Sequence, residues 1–115
     1  MIKEYIHPWS GLDYKLLVKL VEDGIKPICQ TSKKIKTYLP YIEIDSKVKI
    51  DGKVIKYNQY IYYRDDTKNE ATRAAELSRL DRQWTNEEHR EFGLLMGYDE
   101  DRVNNWVKEY IGLIN

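Results

Sequence analysis

The sequence predicts an α+β fold: an antiparallel sheet built on one long β-hairpin (about 41–64), one N-terminal helix and three short C-terminal helices. Three observations predict it. Apolar and charged residues alternate from Ile42 to Ile50, Asp51-Gly52 stands where a hairpin would turn, and the last third repeats the helix-start signal Thr-x-x-Glu.

In the hairpin, Ile42, Ile44, Ser46, Val48 and Ile50 fall on one side and Glu43, Asp45, Lys47 and Lys49 on the other, the period of two of a half-buried strand. Asp51-Gly52 suits a two-residue type I′ turn, whose central residues both need φ > 0. Closing the turn there fixes the register. One face pairs Ile50 with Lys53, Val48 with Ile55, Ser46 with Tyr57, Ile44 with Gln59 and Ile42 with Ile61. The other pairs Lys49 with Val54, Lys47 with Lys56, Asp45 with Asn58, Glu43 with Tyr60 and Tyr41 with Tyr62. The first, largely apolar, is expected on a core; the second, charged and aromatic, is expected in water.

The other elements follow in chain order. Met1 to Ile6 reads as a short edge strand, broken by His7-Pro8. Ser10 is placed to cap a helix, with Trp9 and Tyr14 at the spacing of a hydrophobic staple. Leu12, Leu16, Leu17, Leu20 and Val21 form its apolar stripe, and Gly24 ends it. Ile25 to Gln30 is a strand, which Pro27 confines to an edge or to a start at Ile28. Thr31 to Tyr38 reads either as one or two helical turns or as a basic loop. Pro40 then leads into the hairpin.

Beyond it, Thr67-x-x-Glu70 and Thr85-x-x-Glu88 have the form of capping boxes. The first helix turns Ala71, Ala74, Leu77, Leu80 and Trp84 toward the core and offers Glu70–Arg73 and Glu76–Arg79 pairs outside. Phe92, Leu95 and Met96 form a short stripe that Gly97 stops. Asp99, Glu100 and Asp101 crowd a third helix N-terminus, and Val103, Trp106, Val107, Tyr110, Ile111 and Ile114 continue at helical spacing.

With 115 residues and no linker, repeat or low-complexity tract, one domain spanning 1–115 is expected. Net charge is zero, which argues against general nucleic-acid binding, but the charge is unevenly spread. Residues 1–60 carry eleven Lys against seven acids, and residues 61–115 carry six Arg and two Lys against twelve acids. Such a split can steer an anionic partner to one end or pair copies head to tail, and it also describes two solvated surfaces of different sign. Cys29 is the single cysteine, so no intrachain disulfide or cysteine-rich metal site is expected. No apolar run approaches the ~20 residues of a membrane span, so a cytoplasmic protein is expected. The wealth of Lys, Ile and Tyr fits an AT-rich genome, such as that of a virus or mobile element.

His89-x-x-x-Gly93-x-Leu95-Met96-Gly97-Tyr98, followed by Val103 and Trp106, resembles a pattern in microbial and viral small domains where a Gly-Tyr-Pro step separates two short helices. Asp99 stands where that pattern has Pro. The resemblance covers about a quarter of the chain; it implies a pair of short helices and no activity, so no catalytic residue is carried over.

Candidate chemistry is sparse. His89 lies between Glu88 and Glu91 but occupies the staple position opposite Trp84, where a packed structural role is expected. His7 is the other histidine, with no H-x-x-x-H spacing, and no nucleophile elbow or phosphate-binding glycine loop occurs. Asp65-Asp66 and Asp99-Glu100-Asp101 sit at helix starts, where capping explains them without metal. No metal or cofactor is therefore expected, and catalysis is not favoured.

The candidate binding residues lie on the outer hairpin face. Lys47 and Lys56 stand opposite each other, with Lys49 diagonal and Tyr60, Tyr62 and Arg64 further along; Lys33, Lys34 and Lys36 are expected nearby. Like charges directly opposite are destabilising, so they protect an edge, serve an anionic partner, or simply lie in water. The expected function is non-catalytic: a binding or inhibitor protein that contacts a protein or an anionic nucleotide-containing ligand through this face. A winged-helix-like nucleic-acid binder, with 31–38 as recognition helix and the hairpin as wing, is the alternative. A small nuclease or phosphoesterase comes third, and self-association remains open.

Overall fold

Three antiparallel strands in the order β1-β3-β2 carry helices on both faces in the computed structural model, which describes residues 13–111. The strands are β1 (Ile28–Thr31), β2 (Tyr41–Ile50) and β3 (Lys53–Tyr63). The helices are α1 (Tyr14–Glu22), α2 (Lys68–Ser78), α3 (Asn86–Leu95) and α4 (Glu100–Trp106), the last continuing as a π-helical turn over Val107–Ile111. The fold is α+β, with the long hairpin at its centre.

Every cross-strand pair of the hairpin has the register expected from Asp51-Gly52, from Ile50 opposite Lys53 to Tyr41 opposite Tyr62. Asp51 and Gly52 have φ of 52° and 79°, the two left-handed residues that a type I′ turn requires. Among the described residues β1 pairs only with β3, which makes it an edge strand there, as Pro27 implied, beginning at Ile28.

Burial departs from the expectation of one packed face and one wet face. At the root of the hairpin both faces are covered. Ile28, Ile44 and Ile61 pack under Ala71, Ala74 and Ala75 of α2 and Met96, while Cys29 and Tyr62 pack under Val18 and Val21 of α1 with Leu39. Beyond the root neither face is covered, and residues 47–58 are exposed throughout. Element lengths explain this. A helix of 11 residues is about 16 Å long. A strand of 11 residues reaches about 36 Å. The distal hairpin therefore projects as an arm.

Local signals fix the helices. Asp13 caps α1 by accepting the Leu16 amide at 2.8 Å, and the helix runs from Tyr14; the expected cap Ser10 lies outside the described residues, with Trp9, Leu12 and the expected strand Met1–Ile6. The buried stripe shifts accordingly to Val18 and Val21 with Leu17, leaving Leu16 half exposed. Thr67 does not form the expected box with Glu70. Its hydroxyl instead accepts the Arg64 amide at 2.8 Å, and a 3₁₀ turn over Asp65–Thr67 precedes α2. The outer pairs also run differently: Arg73 bonds Glu76 and, across to α3, Glu91, while Arg79 donates to the Glu43 carbonyl. α2 stops at Ser78, which leaves Leu80 exposed and brings Trp84 in from the following loop.

The Thr85 box forms as expected, Thr85 accepting the Glu88 amide at 3.2 Å and Glu88 accepting the Thr85 amide at 2.9 Å. The Arg82 guanidinium, with that amide, holds the Glu88 carboxyl down to about 2. Gly97 has φ of 87° and closes α3 in a Schellman motif, Tyr98 N–H bonding the Gly93 carbonyl and Gly97 N–H that of Leu94. A Cβ at Gly97 would lie 2.4 Å from Pro27, so the residue also lets α3 meet the approach to β1. The two short helices separated by Gly97-Tyr98 match the expected helix pair.

Residues 31–38 form no helix. Thr31 ends β1 and the chain then crosses the α1 side of the sheet as a loop. Side chains take its backbone groups: the Ile35 amide donates to the Tyr62 hydroxyl at 2.6 Å, and the Leu39 amide donates to Thr37, whose own hydroxyl donates to Glu22.

Candidate binding site

The arm presents two different surfaces. On the face that continues from the α1 side, Lys47 stands directly opposite Lys56 and Lys49 opposite Val54, all exposed. Toward the root this face ends in a small aromatic group. Tyr41 lies 5.6 Å from Tyr60 edge-on, and Lys34 holds its ammonium 5.2 Å from the centre of the Tyr41 ring. That hydroxyl keeps the Lys34 amine protonated to higher pH than usual. Lys33 and Lys36 are exposed on the same loop.

Two of the expected contact residues sit elsewhere. Tyr62 is fully buried between Cys29, Val18 and Leu39, its hydroxyl committed to Ile35. Arg64 donates to the carbonyls of Val21 and Lys26, each at 2.7 Å, and to Asp66, tying the end of α1 to the entrance of β1. Both are fold residues. Lys47, Lys49 and Lys56 thus share one face with a separate group of Tyr60, Tyr41 and Lys34 at its root, while Tyr62 and Arg64 leave the strip.

The opposite face of the arm holds what the sequence reading assigned to the core. Val48 is 41 % exposed, Ile50 50 % and Ile55 47 %, and Tyr57 lies beside them. Polar residues on this nominally apolar face carried the missed signal: Ser46, Lys53 and Gln59 interrupt it beyond Ile44. Where the arm meets the helices, an open groove of about 980 Å³ is lined by Gln30, Gln59, Tyr57, Trp84, Phe92 and Lys26 among others. Gln30 donates to the Gln59 carbonyl oxygen and Gln59 to the Tyr57 hydroxyl, a polar chain across the groove floor.

Lys26 and Cys29, which line the groove, are packed into the fold. Lys26 is 1 % exposed and donates to the Met96 carbonyl at the C-terminus of α3, with the Tyr98 ring 4.6 Å away. Burial lowers its amine to about 8 and pushes the neighbouring Cys29 thiol up to about 12, which suppresses nucleophilic thiolate. His89 packs edge-on between Trp84 at 5.3 Å and Trp106 at 5.7 Å, and burial lowers its imidazole below the usual value. That is the staple contact expected of it. Asp65 and Asp66 fall in the 3₁₀ turn and Glu100 and Asp101 in the first turn of α4. Among the described residues no three His, Cys, Asp or Glu side chains gather as metal ligands, and no helix is long and apolar enough to cross a membrane.

No family model matches the chain, and neither a curated protein nor a solved structure shows significant similarity to it.

Proposed function

We propose that this is a non-catalytic binding or inhibitor protein whose contact element is the hairpin arm, and that its partner is an acidic protein surface. The observation that supports this most is the two-sided exposure of residues 47–58. An isolated two-stranded ribbon is marginal in water, and one that also exposes Val48, Ile50, Val54 and Ile55 gains from being covered. Lysines on one side and aliphatic residues on the other supply a charged approach and a dry contact, the combination that steers association and then holds a complex. A partner read through a recognition helix is not proposed, because 31–38 is a loop. An inhibitor role and a viral or mobile-element source belong to the same proposal.

The test is capture from host lysate, with and without nuclease treatment, by the wild-type chain and by a Lys47→Gln/Lys49→Gln/Lys56→Gln variant. A protein retained by the first and lost by the second supports the reading. Retention that disappears with nuclease in both cases replaces it with nucleic-acid binding.

A further inference from the structure

β1 is 4 residues long and β3 is 11, and β1 pairs only with Tyr60–Tyr63. Among the described residues no strand takes β1's place beside residues 53–59, so the central strand of the sheet becomes an edge there. The turn decides which groups face that edge. In a two-residue hairpin the flanking residues, here Ile50 and Lys53, form the narrow hydrogen-bonded pair, and the pattern alternates from there. Ile55, Tyr57 and Gln59 therefore aim their backbone groups at β2. Val54, Lys56 and Asn58 aim theirs at the side away from β2, in series with Tyr60 and Tyr62, which meet Thr31 and Cys29. All three are exposed.

We infer that this edge is a strand-addition site for an extended partner segment in which acidic and apolar residues alternate, running antiparallel to β3 in the line of β1. The inference rests on the arm reading above and specifies its partner. Side chains of an added strand alternate between the two faces. On one face they would meet Val54, Lys56 and Asn58, with Lys47 and Lys49 exposed beyond them on β2, and the lysines favour acids. On the other they would meet the exposed Ile55 and the ring of Tyr57, which favour apolar residues. Main-chain hydrogen bonds supply affinity in this mode and the alternating side chains supply selectivity. Lysines on an exposed edge also deter unwanted pairing, so an acidic strand is the one they admit.

The experiment uses the full chain and two end-blocked hexapeptides of identical composition, one alternating Val and Glu, the other three Val followed by three Glu. The alternating peptide is expected to bind about tenfold more tightly or better. It should slow amide exchange at Val54, Lys56 and Asn58 by about tenfold, with Ile55 and Tyr57 already protected by β2. In antiparallel pairing the residues opposite Lys56 turn their N–H toward β3, so N-methylation at the Glu positions should abolish binding and at the Val positions leave it. Equal binding of both peptides without slowed exchange at those three amides overturns strand addition, and so does binding of neither. The arm reading is judged separately: it fails when the lysine variants keep the natural partner, whatever the peptides do.

Discussion

Lys47 and Lys56 face each other across the hairpin, two exposed ammonium groups on adjacent strands. Directly opposed like charges cost a cross-strand pair some stability. Lys56→Glu should therefore raise the unfolding free energy by about 0.2–1 kcal/mol. The same change should weaken capture of the partner. Urea unfolding and a binding assay on one variant read both effects, and a variant that loses stability, or gains affinity, contradicts this account of the pair.

Gly52 has φ of 79° in the turn. Gly52→Val should cost at least about 1 kcal/mol, because a β-branched residue resists that conformation. An unchanged melting curve would remove the type I′ turn from the description of the arm.

His89 gives a pH prediction whose sign follows from its burial. Its folded imidazole titrates below the usual value, so the unfolded chain binds more protons in the window just under pH 6.5. Stability is then complete above that pH and declines as pH falls toward the lowered value. His89→Leu should flatten this slope while changing stability at pH 7.5 by less than about 1.5 kcal/mol, as near volume-conserving swaps do. A slope that survives the substitution assigns it to other groups.

Lys26 behaves in the same sense at higher pH. Its amine titrates at about 8 when folded against 10.5 when free, so stability should rise as pH climbs through that interval. Lys26→Met removes the buried charge and should stabilise the protein at pH 7 by roughly 1–3 kcal/mol, an advantage that shrinks toward pH 10.5. Destabilisation at both pH values would show that the bond to the Met96 carbonyl outweighs the cost of burial.

The hairpin register was legible because Asp51-Gly52 dictates it and a one-residue slip would reverse every side chain. The Thr85 cap, the Gly97 stop and the Trp84–His89 contact were legible for the same reason: each is local. What was not legible depended on element lengths. Nothing in the alternation of Ile42–Ile50 says that the covering helices end near Ile44, so Val48, Ile50 and Ile55 read as core. Nor does it say that α1 covers the second face, so Tyr62 read as exposed. Thr67 misled in another way. Its hydroxyl has two local claimants, and the Arg64 backbone won because the strand ends there in a 3₁₀ turn. The polar interruptions at Ser46, Lys53 and Gln59 were the one signal of the arm available before the structure.

Shortening the arm tests the central claim most directly. Replacing residues 47–56 by Asn-Gly keeps Ser46 and Tyr57 as a narrow pair beside a new type I′ turn and removes Lys47, Lys49, Lys56, Val48, Ile50 and Ile55 together. The root, with both of its core clusters intact, should remain folded and unfold cooperatively. Binding of the partner that the wild-type chain captures should fall below detection in the same assay. A folded, shortened protein that holds this partner as tightly as the wild type would place the contact surface elsewhere and contradict the account.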